Sequence, residues 1–180
     1  MSEAPSFAVR RVRAEEWPRI RALRLEALRD PAAALAFLET VEQAQARPDS
    51  DWIERAARNA AGEHNVQFVV ERGENWLGSA VGFHQPPGQA DYFGRSRAEP
   101  RALLVGVYVA PAARGDGAIE ALAAAVSGWA RERGHTALWL DVHEANARAR
   151  AAYRRLGFVE TGERITGEAG VEFEMRRDLG

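Results

Sequence analysis

Apolar and polar residues follow two kinds of spacing along the chain, and each kind predicts an element. Alternation, or a short unbroken apolar run, predicts strands over residues 7–13, 66–71, 76–83, 101–110, 138–142, 158–163 and 171–176. Apolar residues spaced by three and four predict helices over residues 14–29, 35–46, 52–61, 119–133 and 147–156. This order predicts a mixed sheet with helices packed on it, in a single domain that covers residues 1–180.

Turn and capping residues divide these elements. Glycines are placed to end three of the helices, at Gly62, Gly134 and Gly157. Residues 49–51 (DSD) can cap the third helix, and Asn146 can cap the last one. Gly73 lies in a short link that predicts a hairpin. Residues 85–100 are rich in proline, glycine and polar side chains, which predicts a long loop, either a plain surface loop or one with a role on the substrate side.

The amino-acid composition excludes several kinds of binding and catalytic chemistry. The formal net charge is −2, so the chain has no overall basic character to attract nucleic acid. There is no cysteine, which excludes disulfides, thiolate metal sites and cysteine nucleophiles. There is no lysine either, so no side-chain amine can form a Schiff base. The first residues lack the apolar core of a signal peptide, and no apolar run spans a bilayer, so a cytoplasmic protein without membrane contact is expected.

A glycine loop, ARGDGA, follows the strand at 101–110 and opens a helix. Such a loop can hold phosphate, because the first N–H groups of a helix are unpaired and glycine lets an anion approach the backbone. A mononucleotide P-loop requires a lysine and is rejected. A dinucleotide fingerprint fits Gly115 and Gly117, with Asp141 as a ribose ligand, but Glu120 occupies its third glycine position. The third interpretation is a seat for the pyrophosphate of coenzyme A.

Two motifs support that third interpretation. Val109-Ala110-Pro111 leads into Arg114-Gly115-Asp116-Gly117-Ala118, and a later N-x-x-A-x-x-x-Y motif runs from Asn146 to Tyr153 and is followed by Gly157-Phe158. In both motifs and in element order, the chain resembles the GNAT superfamily of acyl-CoA-dependent N-acyltransferases. The resemblance implies an α+β fold with a mostly antiparallel sheet of about seven strands and helices on both faces.

The resemblance also implies a function and a cofactor site. An acetyl group would pass from acetyl-CoA to a primary amine of a small molecule or peptide, by direct attack in a ternary complex. Tyr153 would be the general acid that protonates the leaving thiolate. No metal is implied, and homodimers are common in the superfamily. The residues that the resemblance places at the cofactor are Val107, Tyr108, Val109, Arg114, Gly115, Asp116, Gly117, Ala118, Ile119, Asn146, Ala149 and Tyr153.

Ile119 departs from the family pattern, which has a small residue there. Either its side chain turns inward as the first apolar residue of the stripe Ile119–Leu122–Val126–Trp129, or it crowds the cofactor loop. We expect retained coenzyme A binding. This departure also motivates an alternative function, a non-catalytic acyl-CoA-binding or sensing module on the same fold. A dinucleotide-binding oxidoreductase is a more distant alternative.

The general base is not evident from the motifs. Many family members carry a glutamate on or near the strand before the glycine loop, and residues 101–110 contain no acid. Glu99 just before that strand and His84 at the end of the preceding one are the candidates, and ordinary surface roles are the alternative for both. Asp141, His143 and Glu144 lack a standard metal-ligand spacing and indicate a polar turn. The arginines at 148, 150, 154 and 155 form either a solvated helix face or an attraction for the phosphates of coenzyme A.

Overall fold

The computed structural model describes residues 7–167 and 169–180. Predictions that concern residues 1–6 and 168 therefore lie outside the described part of the chain. The strands are β1 Ala8–Arg11, β2 Asn65–Arg72, β3 Asn75–Gln85, β4 Arg101–Val109, β5 Ala137–His143, β6 Val159–Gly167 and β7 Gly170–Asp178. The helices of more than one turn are α1 Trp17–Arg29, α2 Val41–Ala46, α3 Asp49–Ala61, α4 Ala118–Glu132 and α5 Ala147–Arg155.

All seven strands form one sheet in the order β1-β2-β3-β4-β5-β7-β6. Each neighbouring pair is antiparallel except β4 and β5, which are parallel. The predicted hairpin is present, since β2 and β3 pair as far as Arg72↔Asn75 and Gly73 has φ +59° in the turn. The sequence-based expectation of a mixed, mostly antiparallel sheet is confirmed.

Helices cover both faces of this sheet, and β2 shows why. Val66 and Val70 pack with α4 residues on one face, while Val69 packs with Trp52 of α3 on the other. Alternate residues of a strand point to opposite faces, so an apolar strand of this kind needs cover on both sides. Helices α1 to α3 supply one layer and helices α4 and α5 the other. Within the described residues, no helix is both long and apolar enough to cross a membrane.

The observed ends of the helices agree with some of the predicted caps and boundaries and contradict others. Gly62, Gly134 and Gly157 follow α3, α4 and α5 with φ of +71°, +78° and +87°. The second helix begins at Val41 and not at residue 35, because the Thr40 hydroxyl accepts a hydrogen bond from the Gln43 N–H and caps it there. The predicted side-chain cap at residues 49–51 is wrong. These residues form the first turn of α3, which follows Pro48 without a side-chain cap.

Candidate active site

Strands β4 and β5 separate, and the separation opens the centre of the sheet. They pair at Ala102↔Leu138 and Leu103↔Trp139 and diverge toward their carboxyl ends. β4 continues to Val109, so its last six residues have an edge that no ladder with β5 occupies. A free edge of this kind presents backbone N–H and C=O groups that an extended ligand can pair with.

A bulge shapes the same part of β4. The register with β3 shifts between Ser79↔Tyr108 and Val81↔Val105, which inserts one extra residue into β4. Gly106 lies in the bulge with φ +60°, a conformation that residues with a Cβ rarely adopt. The bulge bends β4 away from a regular ladder where the strand lines the opening.

The glycine loop adopts the conformation that its two glycines permit. Gly115 and Gly117 have φ of +87° and +86°, and a Cβ at either position would meet no atom within 4 Å. The backbone conformation, not the space, therefore requires glycine at these positions. Gly117 immediately precedes Ala118, the first residue of α4, a 15-residue helix. The unpaired N–H groups and the positive end of this helix lie at the loop.

Arg114 holds the loop in place. Its Nη2 donates to Asp30 Oδ2 at 2.5 Å, and its Nε donates to the carbonyl oxygen of Val109 at 3.0 Å. Burial opposes ionisation of Asp30, but the Ala32 amide and Arg114 outweigh it and lower the pKa of this carboxyl. Arg114 was expected to contact the cofactor phosphates, and its two partners show that it also joins the loop to the end of α1.

A cavity of about 890 Å³ runs from this loop through the opening between β4 and β5. Nine of the residues predicted for the cofactor site line it: Val107, Tyr108, Val109, Arg114, Gly115, Ile119, Asn146, Ala149 and Tyr153. Asp116, Gly117 and Ala118 do not line it. Ala118 is 1% exposed and belongs to the core, while Asp116 is exposed and lies 3.4 Å from Arg72.

Ile119 does not begin the apolar stripe of α4. The residues of that helix that enter the core on this face are Ala118, Leu122, Val126, Trp129 and Ala130. The Ile119 side chain is half-buried and lines the cavity beside Gly115. The expectation that Ile119 is the first core residue is therefore wrong by one position, and its side chain forms part of the cavity wall.

Tyr153 lies on α5 and faces the same cavity. Its ring packs edge-on against Phe158 with the centroids 5.9 Å apart. Among the described residues, no group forms a hydrogen bond with its hydroxyl. Burial raises the pKa of this hydroxyl well above its ordinary value of 10, so Tyr153 carries its proton at neutral pH. A protonated, unpartnered hydroxyl on a cavity wall is available to donate a proton.

Asn146 caps α5, as predicted. Its Oδ1 accepts a hydrogen bond from the Ala149 N–H at 3.2 Å, and the residue is 8% exposed.

The arginines of α5 divide into two pairs. Arg150 and Arg154 contact Glu160 of β6 at 2.9 and 2.7 Å, whereas Arg148 and Arg155 line the cavity. Only the second pair is placed to attract an anionic ligand into the cavity.

The two candidate bases from the sequence lie away from the cavity. His84 Nδ1 is 2.9 Å from His135 Nε2, and its ring stacks near His64. Burial, then His64 and Arg133, lower the pKa of His84. Glu99 is exposed in the loop before β4. Neither residue is part of the cavity wall.

The sequence analysis missed Glu172, a carboxylate that does line the cavity. It is half-buried at the start of β7, opposite His143 of β5, and no hydrogen bond or ion pair to its side chain exists within residues 7–167 and 169–180. Burial raises its pKa from 4.5 to about 7; Asp141 adds to the rise and His143 opposes it. The alternation V-E-F-E-M could have signalled that Glu172 shares a strand face with Glu174, opposite to Phe173 and Met175.

The loop after β3 contributes to the cavity wall, a position compatible with a role on the substrate side, the second of its two predicted roles. Tyr92 and Phe93 line the cavity, and the Tyr92 hydroxyl donates to Asp141 Oδ2 at 2.8 Å. Arg95 fastens the loop by donating to both oxygens of Asp141, at 3.1 and 2.6 Å, and to Asp91 at 2.8 Å. Asp141 and Asp91 are both paired with Arg95, whereas among the described residues the Glu172 carboxylate has no such partner.

Both ring nitrogens of His143 form hydrogen bonds with backbone groups. Its Nδ1 accepts from the Ala145 N–H at 3.1 Å, so its other nitrogen, Nε2, carries the hydrogen that is donated to the Ala169 carbonyl at 2.8 Å. A Cβ at Gly170 would lie 2.5 Å from Nε2, which keeps this residue small. Across the described residues, no group of three or more His, Asp or Glu side chains is arranged to hold a metal ion.

Comparison with known proteins assigns this site to a family. The acetyltransferase (GNAT) family model matches residues 17–158, which include the glycine loop, the opening in the sheet and α5. The chain belongs to the GNAT family. It is 34% identical over 105 residues to aminoglycoside N(6')-acetyltransferase type 1 of Serratia marcescens, an alignment that covers 58% of this chain and 69% of that protein.

Solved GNAT structures share the fold. AAC(6')-Iy in complex with the bisubstrate analogue CoA-S-monomethyl-acetylneamine superimposes with a TM-score of 0.67 at 20% identity, covering 90% of this chain and 97% of that one. A Salmonella typhimurium protein with its cofactor acetyl-CoA gives a TM-score of 0.71 at 17% identity, covering 97% and 94%. The relatives of this GNAT chain are acetyltransferases, and it is an enzyme of that class.

Proposed function

We propose that this GNAT enzyme transfers an acetyl group from acetyl-CoA to the primary amine of a small molecule. The observation that carries the proposal is a single cavity with a phosphate-compatible loop in one part of its wall, an unpaired acid in another, and Tyr153 also on the wall. Relatives support the type of acceptor, since the Serratia marcescens protein is an aminoglycoside N-acetyltransferase.

The residues present fit acetyl-CoA. The N–H groups from Gly115 to Ala118, at the positive end of α4, suit a pyrophosphate, whereas the Arg114 N–H donates to the Pro111 carbonyl. Arg148 and Arg155 add positive charge on the cavity wall. The free edge of β4 from Val107 to Val109 suits the two amides of a pantetheine arm. Acetyl-CoA supplies an acetyl group activated as a thioester when it is bound.

Two side chains provide the proton transfers in this proposal. The acceptor ammonium must lose a proton before its nitrogen can act as a nucleophile, and Glu172 accepts this proton because its carboxylate is unpaired and its pKa lies near neutrality. As the C–N bond forms and the C–S bond breaks, Tyr153 donates its proton to the departing sulfur, and the proton that the nitrogen loses in becoming an amide restores the Tyr153 hydroxyl. Glu172 replaces His84 and Glu99 as the base, because both of those residues lie outside the cavity.

The test is an acceptor screen in which the release of free coenzyme A thiol is measured with acetyl-CoA and a panel of amines. The proposal expects amine-dependent thiol release by the parent enzyme and a large loss in the Tyr153→Phe variant. The alternative, a binding module, predicts acetyl-CoA affinity without thiol release for every amine. Isothermal titration with acetyl-CoA, run in parallel, separates that outcome from a chain that binds no coenzyme A at all.

A further inference from the structure

Three arginines from separate segments of the helical layer lie near one another. Arg24 comes from α1, Arg47 directly follows α2, and Arg55 comes from α3. All three line the same cavity. They belong to the helical layer on the face of the sheet opposite to α4 and α5. Like charges do not gather on a partly buried wall without a compensating group.

A single carboxylate compensates two of them. Glu39 accepts from Arg24 Nε at 3.0 Å and also pairs with Arg47. The side chains of Arg24 and Glu39 are 17% and 13% exposed, so this pairing is shielded from solvent. Glu39 has one negative charge and the two arginines have two positive charges, so the group is already positive before Arg55 is considered.

Arg55 is the uncompensated charge. Within the described part of the chain, no hydrogen bond or ion pair involves its guanidinium, which lies over the ring of Trp52 at 5.7 Å. Burial is the main cause, and the neighbouring Arg24 and Arg47 the second, of a pKa lowered to about 10. A guanidinium still ionised at neutral pH but destabilised in this way is relieved when an anion binds beside it.

We infer that Arg55, together with Arg24 and Arg47, binds a carboxylate of the acceptor, so the substrate class is an amino acid or short peptide with a free carboxylate. This inference rests on the proposed transferase function. The planar guanidinium fork matches the two oxygens of a carboxylate. The neighbouring wall residues Phe37 and Leu38 provide an apolar contact for the rest of such a molecule.

The position of this group separates it from the phosphates of coenzyme A. Arg24 and Arg55 also border a small void of about 30 Å³ together with Gly106 and Tyr108, which places them at the bulge of β4, before the strand ends. The glycine loop follows the carboxyl end of β4 and has Arg114 of its own. The acid Glu172 is on the cavity wall as well, so one cavity offers an acid for an amine and arginines for a carboxylate.

A polycationic acceptor fits this wall poorly. An amine placed beside Arg55 would add to the repulsion that already lowers its pKa. The arginine group therefore favours an acceptor that carries both a positive amine and a negative carboxylate. The aminoglycoside N-acetyltransferase relative suggests a different acceptor, an aminoglycoside.

The inference is tested with matched pairs of amines, each an amino acid or dipeptide and its carboxamide, assayed by thiol release. We expect the parent to prefer the acid by about tenfold or more in kcat/KM, as bidentate carboxylate recognition by arginine predicts. Arg55→Gln should abolish that preference by raising the KM for the acid, with the KM for acetyl-CoA unchanged. Arg58→Gln is the matched control, because Arg58 lies one turn further along α3, pairs with Glu54 on the surface, and does not line the cavity.

Equal turnover of acid and carboxamide by the parent would overturn the inference. So would a rise in the KM for acetyl-CoA in Arg55→Gln, since it would assign the arginines to the cofactor phosphates. A second measurement needs no turnover: N-acetylglycine should raise the Tm of the parent and of Arg58→Gln but not of Arg55→Gln, and N-acetylglycinamide should raise none. If no amine is acetylated, the proposed function fails, and the shift with N-acetylglycine still decides whether the carboxylate site exists. An absent shift in the parent contradicts the site.

Discussion

Arg114 Nη2 lies 2.5 Å from Asp30 Oδ2, and this ion pair joins the glycine loop to the carboxyl end of α1. The side chains come from positions 84 residues apart, and the Asp30 carboxyl is 9% exposed. The loop proposed to bind the pyrophosphate of coenzyme A is therefore held by the helical layer on the opposite face of the sheet. A site for pyrophosphate gains affinity when its donors are fixed before the ligand arrives.

Replacing Asp30 should loosen that loop. We expect Asp30→Ala to raise the Kd for acetyl-CoA about tenfold, since hydrogen bonds to charged groups contribute about 1.5–3 kcal/mol. The kcat at saturating acetyl-CoA should remain close to that of the parent. Isothermal titration and initial rates measure the two quantities. Tighter binding by Asp30→Ala would show instead that Asp30 competes with the phosphates for Arg114.

Tyr153→Phe isolates the proton donor. The hydroxyl has no hydrogen-bond partner among the described residues, so its removal should change the free energy of unfolding by about 0.5 kcal/mol or less. If Tyr153 is the general acid, kcat should fall about 100-fold or more while the Kd for acetyl-CoA is retained. Chemical denaturation, titration and rate measurements on one preparation test this. An unchanged kcat would remove Tyr153 from the mechanism.

Glu172→Gln tests the base through the pH profile. The parent should show kcat/KM rising with pH through about 7 as the Glu172 carboxyl ionises. The variant should lack that limb and retain only the ionisation of the amine itself, so the difference between the two proteins should grow above pH 7. The same amine must be used for both profiles. Parallel profiles would show that another group accepts the proton.

The raised pKa of Glu172 also predicts an effect on stability. The folded protein binds a proton more tightly at this carboxyl than the unfolded chain does, so stability is lost as pH rises from 4.5 to about 7. Glutamine does not titrate, and Glu172→Gln should therefore gain stability relative to the parent across this window. Urea denaturation at pH 4.5 and at pH 8 gives the difference in unfolding free energy between Glu172→Gln and the parent at each pH. A constant difference would mean that the carboxyl is not perturbed.

Ile119 and Leu122 provide a comparison within one helix. Leu122 is fully buried, and Leu122→Ala should cost about 3 kcal/mol of unfolding free energy. Ile119 is half-buried on the cavity wall, so Ile119→Ala should cost about 1 kcal/mol or less. Denaturant unfolding distinguishes them. If the two variants lose equal stability, Ile119 belongs to the core after all.

Residues within a few positions of one another were sufficient to predict much of the fold. The Asn146 cap, the glycines that end the helices and the paired glycines of the loop were predicted because each depends on backbone conformation and on neighbours within a few residues. The start of α2 was missed because Thr40 caps a helix that apolar spacing alone extends to residue 35. Ile119 was misplaced because a stripe with three- and four-residue steps fits Ala118 equally well.

The candidate base and the charged residues of the cavity depend instead on the tertiary structure. The sequence by itself determined the two motifs, the order of the elements and the position of Tyr153, since these are properties of short segments. Only the tertiary structure decided that His84 pairs with His135, that Glu172 faces the cavity, and that Arg55 meets Arg24. Glu172 and the arginines line the cavity where strands β4 and β5 diverge and separate helices pack over the opening, whereas His84 and His135 meet beside the other ends of these strands. Charges brought together by that packing are desolvated side by side, and no single segment of the sequence contains both partners.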